Sequence, residues 1–422
     1  MTAQRVPASV SLHAFAQACD AFSVASYNVL LPNSGTAGWW VTKYYDSTVP
    51  EGATSWPHRQ GLLQEHFRHA AADILCLQEL SGDSLKSDFA FLADAGYHAC
   101  IHRKYHLRPA TLWKSSVWSL VHERHTDKVL AVLLREVGRG GRCVAVLNVH
   151  LAAAPDPRRR FRQVFDAVDR LRKDTARLGL QPDQLPILVC GDFNAPAAGS
   201  GTDAFLRGQA IGPDYREPWY PAVSLSSKVR AHPFGTFRNA YASVLGRDPM
   251  TLFGGRVLGL DPAGGPPPPA LLHAIDQLFD RFAVGDRMSW DRVEAWLTVI
   301  NGAPDRGSER RAAEALVEGE ADRSLSRTQF RALYLAELSQ GKYWSVQHDL
   351  QVTGLISPDA ARGMYMVPLD RIYASSSLTL LGVWEPLSPA RLAQLHAEQI
   401  GLPCAWHPSD HLPLGAVVRF PS

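Results

Sequence analysis

Several apolar, strand-like stretches of this chain end in side chains that can do chemistry. "LPILVCGDFNAP" is apolar from Leu185 to Cys190 apart from Pro186, breaks at Gly191, and delivers Asp192 and Asn194. "FSVASYNVL" reaches Asn28, "ADILCLQEL" reaches Gln78 and Glu79, and "CVAVLNVHL" reaches Asn148 and His150. "MVPLDRIYAS" carries Asp370, and "HPSDHLPLGAVVRF" presents Asp410 and His411 before a last apolar run. A lone Asn or Asp after a strand is ordinarily a turn former. A whole series of such ends, if packed sheets bring them together, is a different matter. Carboxylates and carboxamides are hard oxygen ligands suited to Mg2+ or Mn2+. Buried together they repel unless a cation compensates them. With a histidine beside them the composition fits metal-assisted phosphoester hydrolysis. A metal polarises the phosphoryl oxygen, an Asp orients or deprotonates water, and a His stabilises developing charge.

The elements that must position these residues follow from periodicity. Between the strand-like runs lie helical segments such as "HRQGLLQEHFRHAAA" and "RRRFRQVFDAVDRLRKDTARLGL". In the second, Phe161, Val164, Phe165, Val168 and Leu171 share one face at helical spacing, with Arg159, Arg162 and Arg170 largely off it. Alternating strands and helices predict an α/β or α+β domain. Near residue 250 the pattern changes. "GLDPAGGPPPPA" is a linker by composition, because a proline run cannot join a central strand. Helical text follows to about residue 340 and strand-like text resumes by Met364. The expected organisation is a catalytic domain over 20–250, a helical insertion over 266–345, and a closing catalytic segment over 362–422.

Bulk composition bounds the rest. The 422 residues are 46% hydrophobic, enough for a substantial core. The formal net charge of +2 rules out a polybasic binder but not a local basic groove. The six cysteines show no CxxC pair, and Cys76, Cys143 and Cys190 sit in apolar runs, which reads as small core residues in a reducing compartment. The first twenty residues lack the apolar core of a signal peptide. No apolar run approaches the ~18 residues of a spanning helix. The expectation is a cytoplasmic protein with no membrane contact.

The motifs, taken in order, resemble the endonuclease/exonuclease/phosphatase superfamily. "SYNVL", "ILCLQEL", "LNVHL", "VCGDFNAP", "LDRIYAS" and "SDHLPL" follow one another as they do there. "SWPHR" ahead of "LCLQEL", and the Arg-x-x-Gln run after "NVHL", are similar to the deadenylase and nocturnin branch. The resemblance implies a deoxyribonuclease-I-like fold, a four-layer α/β/β/α sandwich, here with an inserted all-α module. It implies Glu79 as principal metal ligand, Asn28 beside the metal and Asp410 as a further metal-site carboxylate. It implies that Asp192 activates water, that Asn194 and His150 meet the phosphate, that Asp370 orients a catalytic histidine, and that His411 stabilises the pentacovalent phosphate. The branch usually has an aromatic where Arg371 stands, so neighbouring contacts there are expected to differ.

Other residues carry blander readings. His102 and His106, in "IHRKYHLR", read as an exposed loop or strand, and "RRRFR" as an exposed helical start; either could border a substrate. Tyr27, Trp56 and Phe193 could stack bases, but core or rim packing is the simpler reading. In the insertion, "LFDRFAVGDRMSWDRVEAWL" has the rhythm of an EF-hand with Met288 at the central apolar position, yet Arg292 stands where the bidentate Glu belongs. In "EGEADRSLSRTQF", Glu318, Glu320, Asp322 and Ser324 alternate like ligands before Leu325, but Arg323 replaces the turn Gly and Gln329 the closing Glu. An EF-hand-like module that has lost ordinary Ca2+ binding is expected, serving as scaffold or dock for a partner protein.

The sequence thus points to a Mg2+-dependent phosphodiesterase, foremost a 3′–5′ exoribonuclease acting on RNA. A phosphatase for a nucleotide cofactor or other small phosphoester is the alternative. An inactive EF-hand-like adaptor is the third reading, and the intact polar set argues against it.

Overall fold

The apolar runs pair into two sheets because each buries both faces. The computed structural model describes residues 3–421 apart from 47–48, 105, 139, 154–155, 182–184, 196–198, 219, 257–266, 319–321, 340–342 and 357–363. Most of the "GLDPAGGPPPPA" linker therefore lies outside the described residues. The first sheet runs Gln4–Val6, Thr379–Trp384, Leu414–Arg419, Phe22–Asn28, Ile74–Leu80, Arg108–Lys114, Tyr97–Ile101. The second runs Phe237–Asn239, Asp370–Ser375, Ile187–Asp192, Cys143–His150, Val129–Glu136, Trp118–Thr126.

The two-residue period of each strand sorts its side chains between layers. Val24, Ile74 and Trp113 of the first sheet meet Leu130, Val146, Leu188 and Ile372 of the second in one core. The alternate residues Ala25, Leu75 and Leu77 face outward under the helix Trp56–Ala70, through Leu63 and Phe67. On the far side Leu147, Val149 and Val189 lie under the helix Pro157–Arg177, against Phe161, Val164, Val168 and Leu171. That helix begins on Asp156, whose side chain accepts the Arg159 amide, with Pro157 in its first turn. The result is the expected α/β/β/α sandwich. Tyr27, Trp56 and Phe193 are buried in it, as are Cys76 and Cys190. Among the described residues no helix is long and apolar enough to cross a membrane.

The first sheet also takes in Gln4–Val6, ahead of the expected start at residue 20, through parallel pairing with Thr379–Trp384. The insertion springs from a two-stranded antiparallel stem, Leu252–Arg256 with Met364–Val367. Its helices are Pro269–Phe282, Trp290–Asn301, Ser308–Val317, Arg327–Ser339 and Tyr343–Val352; the last runs past the expected end at 345. They bury a core of their own that includes Leu278, Phe279, Trp296, Phe330, Tyr334 and Leu350. Met288 pairs with Leu325 in a short antiparallel bridge between the two helix–loop–helix units. Gln329 caps its helix by accepting the Ser326 amide at 2.8 Å, and Arg287 reaches Asp322 at 3.3 Å. Glu320 lies outside the described residues.

The insertion meets the sandwich through the 3-10 segment Thr36–Tyr44, which follows the strand ending at Asn28. Lys43 donates to Asn301, and the Trp39 ring lies 5.0 Å from the Lys43 ammonium and 5.4 Å from the Arg306 guanidinium. Lys43 faces the buried carboxylates Asp349, Glu309 and Glu337 of the insertion. Replacing Lys43 with Met should therefore lower the urea unfolding midpoint by the equivalent of roughly 1–3 kcal/mol, because buried polar groups lose their donor. An unchanged midpoint would show that this contact does not hold the insertion.

Candidate active site

Strand register sets the first row of the site. In the second sheet His150 stands opposite Asp192, and Asp192 stands opposite Asp370, on three adjacent strands. Gly191 makes this possible. Its φ is +138°, and a Cβ there would stand 2.0 Å from the carbonyl oxygen of Val149. The chain then turns at Asn194, with φ 47°. Asn194 donates its backbone N–H to Asp192 Oδ1 at 2.8 Å, and its side chain donates to Asp192 Oδ2 at 3.1 Å and to the Leu151 carbonyl at 3.0 Å. The strand Ile187–Asp192 ends there because its tip becomes a fixed carboxylate.

The first sheet contributes from across the core. Glu79 has φ 62°, and the pairing of its strand with Arg108–Lys114 slips between Leu77 and Leu80. A non-glycine residue in this left-handed conformation costs roughly 1–3 kcal/mol and persists where the surroundings fix it. Glu79 Oε2 accepts the Leu31 amide at 3.3 Å, and Oε1 lies 3.7 Å from His150 Nε2. Asn28 joins the sheets: its Nδ2 donates to Glu79 Oε1 and Asp192 Oδ2, both at 3.1 Å. Its Oδ1 is taken by the Leu30 amide at 3.1 Å. Asn28, expected beside a metal, thus presents N–H to the carboxylates in this arrangement, tying the two rather than offering its oxygen.

The C-terminal motif closes the site. His411 Nδ1 lies 2.7 Å from Asp370 Oδ2, the orienting contact expected of that pair. Ser409 donates to the Asn28 carbonyl at 2.7 Å and accepts the His411 amide at 3.2 Å, which fixes the turn bearing Asp410. The eight residues singled out from the sequence are thereby carried by neighbouring strand ends and turns.

Burial dominates the electrostatics. It pushes the Asp192 carboxyl up to about 7, with Asp370 and Glu79 adding to the rise and His411 opposing it. Burial also lifts Asp410 to about 6, with Glu79 and Asp370 again raising it. His150 is driven down to about 4 by desolvation, so the ring is neutral. Burial works against a charge on His411, but Asp370 and Asp410 outweigh it and hold the imidazolium well above the usual histidine range. A site of mutually repelling, desolvated carboxylates is one that a hard cation relieves. Asp370 Oδ1 is buried and has no hydrogen-bond donor among the described residues. All-oxygen donors fit Mg2+, which needs only one or two protein carboxylates and keeps its other positions for water and phosphate. Glu79 and Asp410 would hold it.

Sequence reasoning missed the residues that hold the scaffold. Arg59, of the "SWPHR" marker, is fully buried. It donates to the carbonyls of Val29, Leu30, Leu31 and Pro408 and to Asn33 Oδ1. It therefore clamps the loop after Asn28 to the turn before Ser409. Arg371 is also buried, stacked 5.4 Å from the Phe193 ring, donating to the Ala195 and Pro368 carbonyls and facing Asp248 at 3.5 Å. Thr251 accepts the Leu369 and Asp370 amides at 3.0 and 3.1 Å. Gln78 and Asn148, which also end polar strand motifs, lie behind the site and bind each other across the sheets at 2.8 Å. Two expectations are corrected. His102 is 1% exposed, not an open loop residue, because both ring nitrogens reach backbone groups. Arg160 is 2% exposed within the "RRRFR" start, since it turns inward to the Ala152 carbonyl, while Gln163 receives the Ala152 amide.

The sequence profile described as the Endonuclease/Exonuclease/phosphatase family matches residues 25–411. Among curated proteins the chain is 30% identical over 197 residues to Protein angel homolog 2 of Danio rerio, covering 41% of this chain and 33% of that protein. It is 23% identical over 255 residues to the CCR4-Not complex 3'-5'-exoribonuclease subunit Ccr4 of Mycosarcoma maydis, covering 47% of this chain and 37% of that one. The chain thus spans about a third of the length of these relatives. Among solved structures, ANGEL2, described as a 2',3'-cyclic phosphatase and bound to adenosine-2',3'-vanadate, aligns with TM-score 0.51 at 17% identity, over 94% of this chain and 95% of that one. The likeness is one of fold.

Arg59 supplies a test of the scaffold that needs no substrate. Lysine offers a single ammonium where the planar fork now meets several carbonyls. Arg59→Lys should lower the urea unfolding midpoint by the equivalent of roughly 3 kcal/mol, from carbonyls left unsatisfied in the interior. Wild-type stability in the variant would mean that the loop after Asn28 is held by other contacts.

Proposed function

The chain belongs to the endonuclease/exonuclease/phosphatase family, and from that premise we propose that it is a divalent-metal-dependent phosphodiesterase, a 3′–5′ exoribonuclease in the manner of the deadenylases. The observation that carries the reading is the row His150, Asp192, Asp370 with His411 bonded to Asp370 and Glu79 across from His150. The burial of the set, with Asp192 and Asp370 at 1% exposure and His411 at 4%, favours a chain end or a small phosphoester over the middle of a folded strand. A phosphatase acting on a nucleotide cofactor would use the same site, and its substrate would meet the same groups. The helical insertion, EF-hand-like in its paired loops, is assigned a scaffold or partner-docking part.

Each side chain has a task in this reading. Asp192, its oxygens fixed by Asn194 and Asn28 and its basicity raised by burial, accepts the proton of the attacking water. Asn194 keeps that carboxylate in one orientation and borders the position of the phosphate. His150, neutral, offers a hydrogen bond to the scissile group. His411 spends Nδ1 on Asp370, which leaves Nε2–H to donate to the negative charge that grows on the phosphoryl oxygens. Glu79 and Asp410 would hold the divalent cation, which would supply polarisation of the phosphoryl oxygen.

The test incubates the protein with 5′-labelled oligo(A), mixed-sequence RNA, single-stranded DNA and NADPH, with Mg2+ or with EDTA. A ladder shortening from the 3′ end on RNA, abolished by EDTA, is the expected result. Phosphate release from NADPH alone would move the function to cofactor dephosphorylation, and silence on every substrate would remove the nuclease reading. In the same assay Glu79→Ala should abolish turnover with the fold intact by circular dichroism. Asp192→Asn should lower kcat by on the order of 100-fold or more with little change in KM, the loss expected when a general base is removed. A near-normal rate for Asp192→Asn would place water activation elsewhere.

A further inference from the structure

Among the described residues the two sheets each end in a strand that no further strand covers, Tyr97–Ile101 in the first and Trp118–Thr126 in the second. Cys100 of the former and Glu123 and His125 of the latter converge between them. Cys100 Sγ lies 3.0 Å from Glu123 Oε2, and His125 Nε2 lies 3.2 Å from Glu123 Oε1. One ligand atom from each of the three falls within 4.8 Å of the others, the one group of this kind found among the described residues. We propose that Cys100, Glu123 and His125 form a second metal site, distinct from the carboxylate site, that takes a Zn2+-class ion and staples the open edges of the two sheets.

The donor set decides the class of ion. Thiolate, imidazole and carboxylate are the mixed S, N and O ligands of zinc, whereas Mg2+ and Ca2+ take oxygen. Zinc bonds of about 2.0–2.3 Å place tetrahedral ligands roughly 3.3–3.8 Å apart, so small rotations of these side chains suffice. Three protein ligands leave a fourth position for water. The site rests on paired strands, and Glu123 and His125, two residues apart, project from one face of theirs. Cys100 belongs to the core between the sheets at 7% exposure. Behind His125, at 5.1 Å between ring centres, the buried His102 ties its own loop to the Thr126 carbonyl at 2.8 Å.

A cation already stands at Glu123. The exposed Arg103 guanidinium pairs with Oε1, and the Arg103 backbone N–H lies 3.3 Å from His125 Nδ1. Metal binding displaces that guanidinium to solvent. The thiol proton leaves to water as the metal–sulfur bond forms. The imidazole proton moves from Nε2 to Nδ1, and the Arg103 N–H turns to solvent. No oxidation is involved.

The test uses the full chain, stripped with chelator and titrated with Co2+ alone. Cobalt at a thiolate gives a near-ultraviolet sulfur-to-metal charge-transfer band that the oxygen ligands of the carboxylate site cannot give. The expected result is that band, saturating at one equivalent, with a rise in unfolding temperature, bleached by Zn2+ and untouched by excess Mg2+. Cys100→Ser should abolish the band. Glu123→Gln and His125→Asn should weaken the affinity on the order of 10–100-fold. Absence of the band, or its survival in Cys100→Ser, overturns the proposal. Should Cys100→Ser fail to fold, Glu123→Gln carries the test, because it keeps the thiol and alters a half-buried side chain; unchanged cobalt affinity in that variant overturns the proposal equally.

Discussion

The structure depends on holding four carboxylates close together where water is scarce. Glu79, Asp192, Asp370 and Asp410 sit at strand ends and turns, and the three aspartates are nearly sealed from solvent. Isolated, each would surrender its charge, since burying an unpaired ion costs several kcal/mol. The protein offsets this with groups that donate. Asn28 gives one N–H to each sheet's carboxylate, Asn194 gives two to Asp192, and His411 places its imidazole against Asp370. The compensation is partial, as the raised Asp192 and Asp410 carboxyls record. That residual repulsion is what a bound cation would relieve.

The same requirement explains the neighbouring backbone. Carboxylates cannot be tied by register alone, because a strand that continued would carry every second side chain away from the site. Gly191 lets the chain pass within van der Waals reach of Val149, and Glu79 adopts a left-handed conformation that re-aims its side chain at a slip in the pairing. Loops displaced in this way expose carbonyls to the interior, which must be satisfied. Arg59 does so for the loop after Asn28 and for Pro408, and Arg371 does so for the turn after Asn194. Two buried guanidiniums therefore serve the two loops that follow the candidate site residues Asn28 and Asn194.

Much of this was legible in the sequence. The strands and the helical text between residues 250 and 364 followed from period and punctuation, the polar residues at strand ends from the breaks in the apolar runs, and the sandwich layers from what the resemblance of the ordered motifs implies. What was not legible shares a physical cause. Arg59, Arg371, Ser409 and Thr251 act on backbone groups distant in sequence, and nothing in their local pattern says which carbonyl or amide they will meet. Arg160 and His102 looked exposed because charge and polarity set that prior. Their burial follows from backbone partners, Ala152 for one and Lys104 and Thr126 for the other, which only the assembled loops bring near. The Arg-x-x-Gln and Trp-x-x-Arg runs did mark these positions, but as signatures without a stated mechanism. The structure supplies the mechanism: both runs hold the loops that leave strand tips.

Among the described residues, two attachments of the insertion to this scaffold stand out. Its stem begins at Leu252, directly after Thr251, whose hydroxyl accepts the Asp370 amide. The Phe253 amide donates to the Asp410 carbonyl, and the Leu412 amide donates to the Thr251 carbonyl, so the stem is laced to both ends of the Asp370–His411 pair. The second attachment is the Thr36–Tyr44 segment, continuous with the Asn28 strand and fastened by Lys43 to Asn301. A module inserted in an idle loop would touch neither. Here the chain leaves the sandwich for a helical core and returns with both Asp370 and His411 on the segment that follows. The half of the site that those two residues form is therefore carried by the part of the chain that the stem brings back to the sheets.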